Sequence, residues 1–217
     1  MAYFETTTCY HCDAEGTGRE HVPPKCLFPK CADWSRLMTV PSCVTHNNAN
    51  SKADEYLKFL LGAIASDIPN AITSSAARSA VRLALKHSGS LHRYGFRWDR
   101  DVLVIDDPFK IDFELLSAGL QKIARALYFH HHGGRRKLLG ELYACPLFIP
   151  IDPEVAPDLA SSASTVRAST AHNFEQRPKL GSHQEIFAYQ VIEIPEAIII
   201  NMEFYGAHRA SVLRLMG

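Results

Sequence analysis

Cys9-Tyr-His-Cys12 and Cys43-Val-Thr-His46-Asn47-Asn48 enclose the stretch Arg19-Glu20-His21-Val22-Pro23-Pro24-Lys25. Two close pairs of soft ligands about thirty residues apart have the spacing of a tetrahedral structural zinc site, in which one ion pins two chain turns together. Cys9, Cys12, Cys43 and His46 are the expected ligands. Cys26 and Cys31 stand wider apart than a zinc knuckle and inside the enclosed loop, so they read as unpaired thiols. His11, within the first knuckle, reads as solvated.

Between the pairs, Glu20 and His21 are neighbours in an extended segment, where adjacent side chains point to opposite faces. A carboxylate is a hard ligand suited to Mg²⁺ or Mn²⁺, and an imidazole can take a proton from water near neutral pH. Phosphodiester hydrolysis uses both, a base for the attacking water and a cation at the phosphate.

Working outward, residues 1 to about 50 are turn-rich and light in aliphatic side chains, a composition that relies on a metal in place of a core. Ser51-Lys-Ala-Asp54 reads as a capping box in its Asp form. The apolar spacing of Tyr56, Leu57, Leu60, Leu61 and Ile64 then predicts a helix over about 52–67. A second helix is expected over about 72–87, a short strand over Val102 to Ile105, and a long helix from an Asp112 cap to Gly133-Gly134 with the stripe Leu116, Leu120, Ile123 and Leu127. Beyond residue 140, Leu142 to Ile149, Phe187 to Ile192, Ala197 to Phe204 and Ser211 to Leu215 read as strands of a small antiparallel sheet. Ala160 to Ala171 is either a weak helix or a loop. The expected class is α+β, in two units: 1–67 stapled by zinc and 70–217 as an accessory domain.

The 217 residues carry 23 basic and 23 acidic side chains, so net charge alone does not announce a nucleic-acid binder. From residue 71 to residue 140, however, twelve Lys and Arg face six Asp and Glu, including Arg78, Arg82 and Lys86 at helical spacing and the run Arg135-Arg136-Lys137. A solvated basic face and a phosphate-contacting one are both open readings. His130-His131-His132, at the end of the long helix, suit its dipole or phosphates better than a metal. Cys145 reads as an inert buried thiol. The N-terminal Met-Ala-Tyr-Phe-Glu has no charged start followed by an apolar run, and a soluble cytoplasmic protein is expected.

In the order Cys9-x-x-Cys12, Glu20-His21-Val22-x-Pro24-Lys25, Cys43-x-x-His46-Asn47 and Ser51-Lys52-x-Asp54, the chain resembles the HNH or ββα-metal endonucleases, in the zinc-stapled subgroup typified by phage junction-resolving enzymes. The resemblance covers about residues 9 to 54. It implies a β-hairpin carrying His21, a short helix presenting Asn47, Glu20 and Asn47 as ligands of a catalytic Mg²⁺, Mn²⁺ or similar cation, and His21 as the base. It also implies 5′-phosphate ends and nucleic acid as the partner, with DNA favoured and RNA left open. Lys25, Lys52, Arg78, Arg82, Lys86, Arg135, Arg136 and Lys137 are the candidate phosphate contacts. Two departures stand out. His46 occupies a position that is usually Cys, which zinc accepts, and residues 22 to 46 hold no counterpart of the family's central Asn, leaving Asp33 or a backbone group for its role. Two other functions are compatible with the same residues: a non-catalytic zinc module that binds nucleic acid, and the effector subunit of a bacterial anti-phage defence or toxin complex that acts only with its partner.

Overall fold

The computed structural model describes residues 7–29, 32–48, 51–64, 71–86, 96–99, 102–105, 111–154 and 157–216. The architecture is α+β with antiparallel sheets. Strands β1 (Gly18–Val22) and β2 (Met38–Ser42) form a hairpin in the register Glu20↔Val40 and His21↔Thr39, joined by a connection that includes 3-10 turns at Lys25–Leu27 and Trp34–Arg36. A short helix α1 (Val44–Asn48) follows directly. Alternation along β1 buries Glu20 and Val22 on one face and leaves His21 half-exposed on the other.

Helix α2 (Ser51–Ile64) buries Tyr56, Leu57, Leu60 and Leu61, the apolar stripe expected of it. It crosses α3 (Ala71–Lys86) at close range, because Gly62 carries no side chain: a Cβ there would stand 2.7 Å from the carbonyl oxygen of Ala76. Residues 65–70, which hold the expected end of α2 and the unit boundary, lie outside the described set. Strand β4 (Val102–Ile105) has the expected limits and pairs with β3 (Phe96–Asp99).

Helix α4 (Phe113–His131) is the central element. Asp112 caps it by accepting a hydrogen bond from Leu115 N, and the backbone N–H of Asp112 donates to Tyr56 Oη at 2.7 Å, tying the cap to α2. Leu116, Leu120, Ile123 and Leu127 are all buried. At its other end His130 and His131 occupy the last turn, where burial lowers the His130 pKa and keeps that ring neutral, and His132 Nε2 lies 2.8 Å from Glu193 Oε1.

The C-terminal sheet has the order β5-β9-β8-β7-β6. Its strands are β5 (Tyr143–Cys145), β6 (Leu180–His183), β7 (Phe187–Ile194), β8 (Ala197–Phe204) and β9 (His208–Leu215). The strand expected over Leu142 to Ile149 is cut to three residues, because Pro146 has no N–H for the ladder and the chain turns there, with Ile149 N donating to Pro146 O. Strand β9 starts at His208, earlier than the apolar run beginning at Ser211, since its pairing with Phe204 follows a tight turn at Tyr205 and Gly206, both with φ above zero. Strand β6 carries no apolar alternation and is formed only because β7 offers it an edge. The Ala-rich segment is a helix, α5 (Pro157–Gln176). It rests on the sheet through Phe174 and a 2.7 Å hydrogen bond between the hydroxyls of Thr170 and Ser211, and Arg167 donates to Leu147 O.

One buried apolar cluster joins Tyr10, Val22 and Val40 with Leu57 and Leu60 of α2, Leu120 and Leu127 of α4, and Phe187, Met202 and Val212 of the sheet. The segments 1–67 and 70–217 drawn from the sequence therefore share a core. Among the described residues no helix is long and apolar enough to cross a membrane.

Candidate metal centre

The first knuckle precedes β1 and the second spans the junction of β2 with α1, so pairing of the two strands brings the four ligands together. Their donor atoms all lie within 4.8 Å of one another, with Cys9 and Cys43 buried. His46 Nδ1 is 3.6 Å from Cys9 Sγ, 3.5 Å from Cys12 Sγ and 3.2 Å from Cys43 Sγ, and Cys12 Sγ is 3.9 Å from Cys43 Sγ. A tetrahedral zinc with bonds of about 2.3 Å to sulfur and 2.0–2.1 Å to nitrogen requires edges of about 3.8 Å between sulfurs and about 3.5 Å from sulfur to nitrogen. The cluster has that size and donor chemistry and can hold a metal ion. The Cys43 thiol is pulled down to about 6, first by the backbone hydrogen bond at His46 and further by the His46 ring, which favours the thiolate a metal needs.

Two further groups brace the cluster. Lys137 Nζ donates to Cys12 O at 2.7 Å and to Asp13 Oδ1 at 2.9 Å, tying the first knuckle to the segment after α4. The His11 ring, expected to be solvated, packs against His46 at a centroid distance of 4.0 Å. Burial, with the neighbouring His46, lowers its pKa to about 4, so it packs there as the neutral imidazole.

Beside this staple β1 carries Glu20 and His21, and α1 carries Asn47. The Asn47 side chain lies over Gly18: a Cβ on that glycine would stand 3.4 Å from Asn47 Nδ2. Gly18 and Glu20 share a strand face, so Asn47 and Glu20 address the same side of β1. No family model matches the chain, and no curated protein or solved structure matches it.

Glu20 is only 8% exposed, and its partner is a side chain that local pattern did not reveal. Lys122, buried on α4, places Nζ 3.1 Å from Glu20 Oε1 and 2.7 Å from Asp54 Oδ2. Asp54, read from sequence as part of a capping box, thus turns its carboxylate to α4. Burial raises the pKa of both carboxyls, and Lys122 opposes the rise in each without cancelling it. Asp54 Oδ1 is buried and has no hydrogen-bond partner among the described residues. His21 Nδ1 is likewise buried and unpartnered, and burial, aided by Lys25, lowers the pKa of the imidazole and keeps it neutral near pH 7. Asp33 accepts from Ser35 N and Ser35 Oγ and caps the turn after it, an internal role within the β1–β2 connection.

Two carboxylates, Glu20 and Asp54, therefore meet at one buried point, and one of their oxygens, Asp54 Oδ1, is unmet. In this structure the positive charge among them is the Lys122 ammonium. Removing it tests the triad. Lys122→Met is expected to lower stability by about 3 kcal/mol, since it leaves two buried carboxylates facing each other, and proton uptake by one of them limits the loss. Chemical denaturation at pH 7 and pH 5 checks this: the deficit relative to wild type should shrink at pH 5, where the freed carboxyls protonate, and a pH-independent deficit contradicts it.

The basic candidates divide. Arg136 Nη1 lies 3.0 Å from Glu193 Oε2, and Lys137 serves the knuckle, so both have internal partners. Lys25, Lys52, Arg78, Arg82, Lys86 and Arg135 are exposed. Cys31 lies outside the described residues, while Cys26 Sγ is 3.8 Å from Asp54 O and Cys145 is half-buried, its pKa raised by burial.

Proposed function

We propose that the chain is a metal-dependent endonuclease that hydrolyses phosphodiester bonds, with DNA as the favoured substrate. The observation that carries this reading is the metal-ligating cluster beside a hairpin and short helix that bring Glu20 and Asn47 to one face of β1, with His21 next to Glu20. That order of elements is the one the resemblance to the zinc-stapled ββα-metal endonucleases implies. Zinc is the metal proposed for Cys9, Cys12, Cys43 and His46.

His21, neutral and on the solvent side of β1, takes a proton from water as the water oxygen bonds to phosphorus. The bond from phosphorus to the 3′ oxygen breaks, and the 3′ oxygen leaves with a proton from solvent, giving a 5′-phosphate. When bound, Mg²⁺ or Mn²⁺ supplies positive charge at the scissile phosphate and the departing oxygen. Glu20 and Asn47 would hold that cation, with Asp54 as a neighbouring donor. Because Lys122 already engages Glu20, the cation must share or displace that ammonium.

The same ion pair favours a second reading, a zinc module that binds nucleic acid without cutting it, in which Lys122 permanently satisfies Glu20. Supercoiled plasmid incubated with the zinc-loaded protein separates the two. Nicking that requires Mg²⁺ or Mn²⁺ supports the nuclease. Retention of plasmid in a mobility shift, with no cleavage in any divalent ion, overturns it and selects the binding module. Cleavage that appears only after co-purification with a second protein selects the effector subunit of a defence complex.

A further inference from the structure

Next to the hairpin, on the side reached through Lys25, lies a cleft of about 370 Å³. One wall is a stripe of α3, Ser75, Ser79 and Arg82, at the spacing of one helix face. Lys58 of α2, one turn beyond Asp54, stands beside it. The opposite wall is Lys25 and Trp34 of the β1–β2 connection, and Tyr205, whose hydroxyl donates to Leu27 O at 3.0 Å, anchors the apolar floor.

The charge of this cleft is one-sided. Lys25, Lys58 and Arg82 line it with no Asp or Glu among the lining residues, and no ion pair engages any of the three among the described residues. Lys122, Lys179 and Arg209, by contrast, are each paired with carboxylates. Three unneutralised cations around one concavity repel each other and favour an anion among them. Trp34, 37% exposed, adds an aromatic surface over which Lys25 Nζ sits at 3.9 Å from the ring centroid. A cleft of this size can take a single nucleotide.

We propose that this cleft binds one nucleotide of a single-stranded segment, its phosphate held by Lys25, Lys58 and Arg82 and its base stacked against Trp34. The proposal deepens the nucleic-acid reading proposed for the hairpin and does not depend on cleavage. Lys25 is four residues beyond His21 in the chain and close enough to act on its imidazole, so the cleft adjoins the Glu20–His21 segment. Stacking supplies affinity without base selectivity, since every base has a π-face, and the cations make binding salt-dependent.

The test uses the full chain carrying His21→Ala, zinc-loaded, in Mg²⁺-free buffer without chelator. Fluorescence anisotropy of a labelled eight-nucleotide DNA strand is read as a function of salt. Lys58→Gln with Arg82→Gln should weaken binding about 10-fold or more and reduce the salt slope by about 0.7, the value for one phosphate no longer neutralised. Trp34→Ala should weaken it by about 5-fold or more with an unchanged slope. Arg177→Gln, an exposed cation outside the cleft, should change neither. A duplex of the same sequence should bind more weakly than the strand. Competition by a deoxynucleoside monophosphate should exceed that by inorganic phosphate; equal competition overturns base stacking. Unchanged affinity in the double variant, or equal loss in Arg177→Gln, overturns the site. Plasmid nicking measured in parallel, with His21 restored, keeps the two readings apart. Intact strand binding without nicking removes the nuclease and leaves the cleft, and nicking with binding indifferent to the variants does the reverse.

Discussion

Cys43→Ala is expected to lose the bound metal and to unfold the segment from residue 7 to residue 48. Few aliphatic side chains lie in that stretch, and beyond the four donors its two knuckles are joined by little more than the His11–His46 ring contact and a hydrogen bond from Tyr10 N to Pro41 O. A structural zinc in such a module supplies about 10–16 kcal/mol of apparent binding free energy, which is folding free energy when the site does not exist in the unfolded chain. The loss will not stay local. Tyr10, Val22 and Val40 belong to the same buried cluster as Leu57 and Leu120, so releasing the hairpin uncovers part of α2 and α4. Elemental analysis should return one zinc per wild-type chain and none for the variant, and thermal unfolding should begin well below the wild-type transition. A metal-free wild type, or a variant as stable as wild type, would remove the zinc and the scaffold argument with it. His11→Ala is the matching control: its ring packs on His46 without being one of the four donors, so zinc stoichiometry should survive.

His21→Ala is expected to lower divalent-dependent nicking by about a hundred to ten thousand-fold, the range a positioned general base contributes. The effect should fall on the rate of cleavage and spare zinc content and thermal stability, because His21 is half-exposed and its Nδ1 has no partner to lose among the described residues. Strand binding at the Lys25, Lys58 and Arg82 cleft should persist in this variant, which makes it the appropriate background for affinity measurements. Nicking at the wild-type rate would show that the imidazole is not the base.

Several elements were legible because their signals are local. Leu116, Leu120, Ile123 and Leu127 recur at the helical period and α4 buries all four; the ligand pairs have knuckle spacing, and the structure closes them into one cluster. The strands β7 and β8 declared themselves by long β-branched runs. Strand β6 did not, since Leu180–His183 has neither alternation nor β-branched residues and owes its pairing to an edge supplied by β7. Pro146 was visible, yet its consequence for the run around it depended on where the ladder of β9 ends.

Each ligand pair and the adjacency of Glu20 and His21 thus follow from residues a few positions apart, where backbone geometry dictates which face each side chain takes, while closure of the two pairs into one cluster needed the β1–β2 hairpin. The triad of Glu20, Lys122 and Asp54 has no such origin. Lys122 and Asp54 are 68 positions apart, and Tyr205 meets Leu27 across 178. Lys122 sits beside a regular apolar stripe and looks like any solvated helix lysine until α4 packs across the hairpin and takes its ammonium out of water. Burial then makes a carboxylate partner obligatory, and the packing of the whole core chooses which carboxylates are within reach.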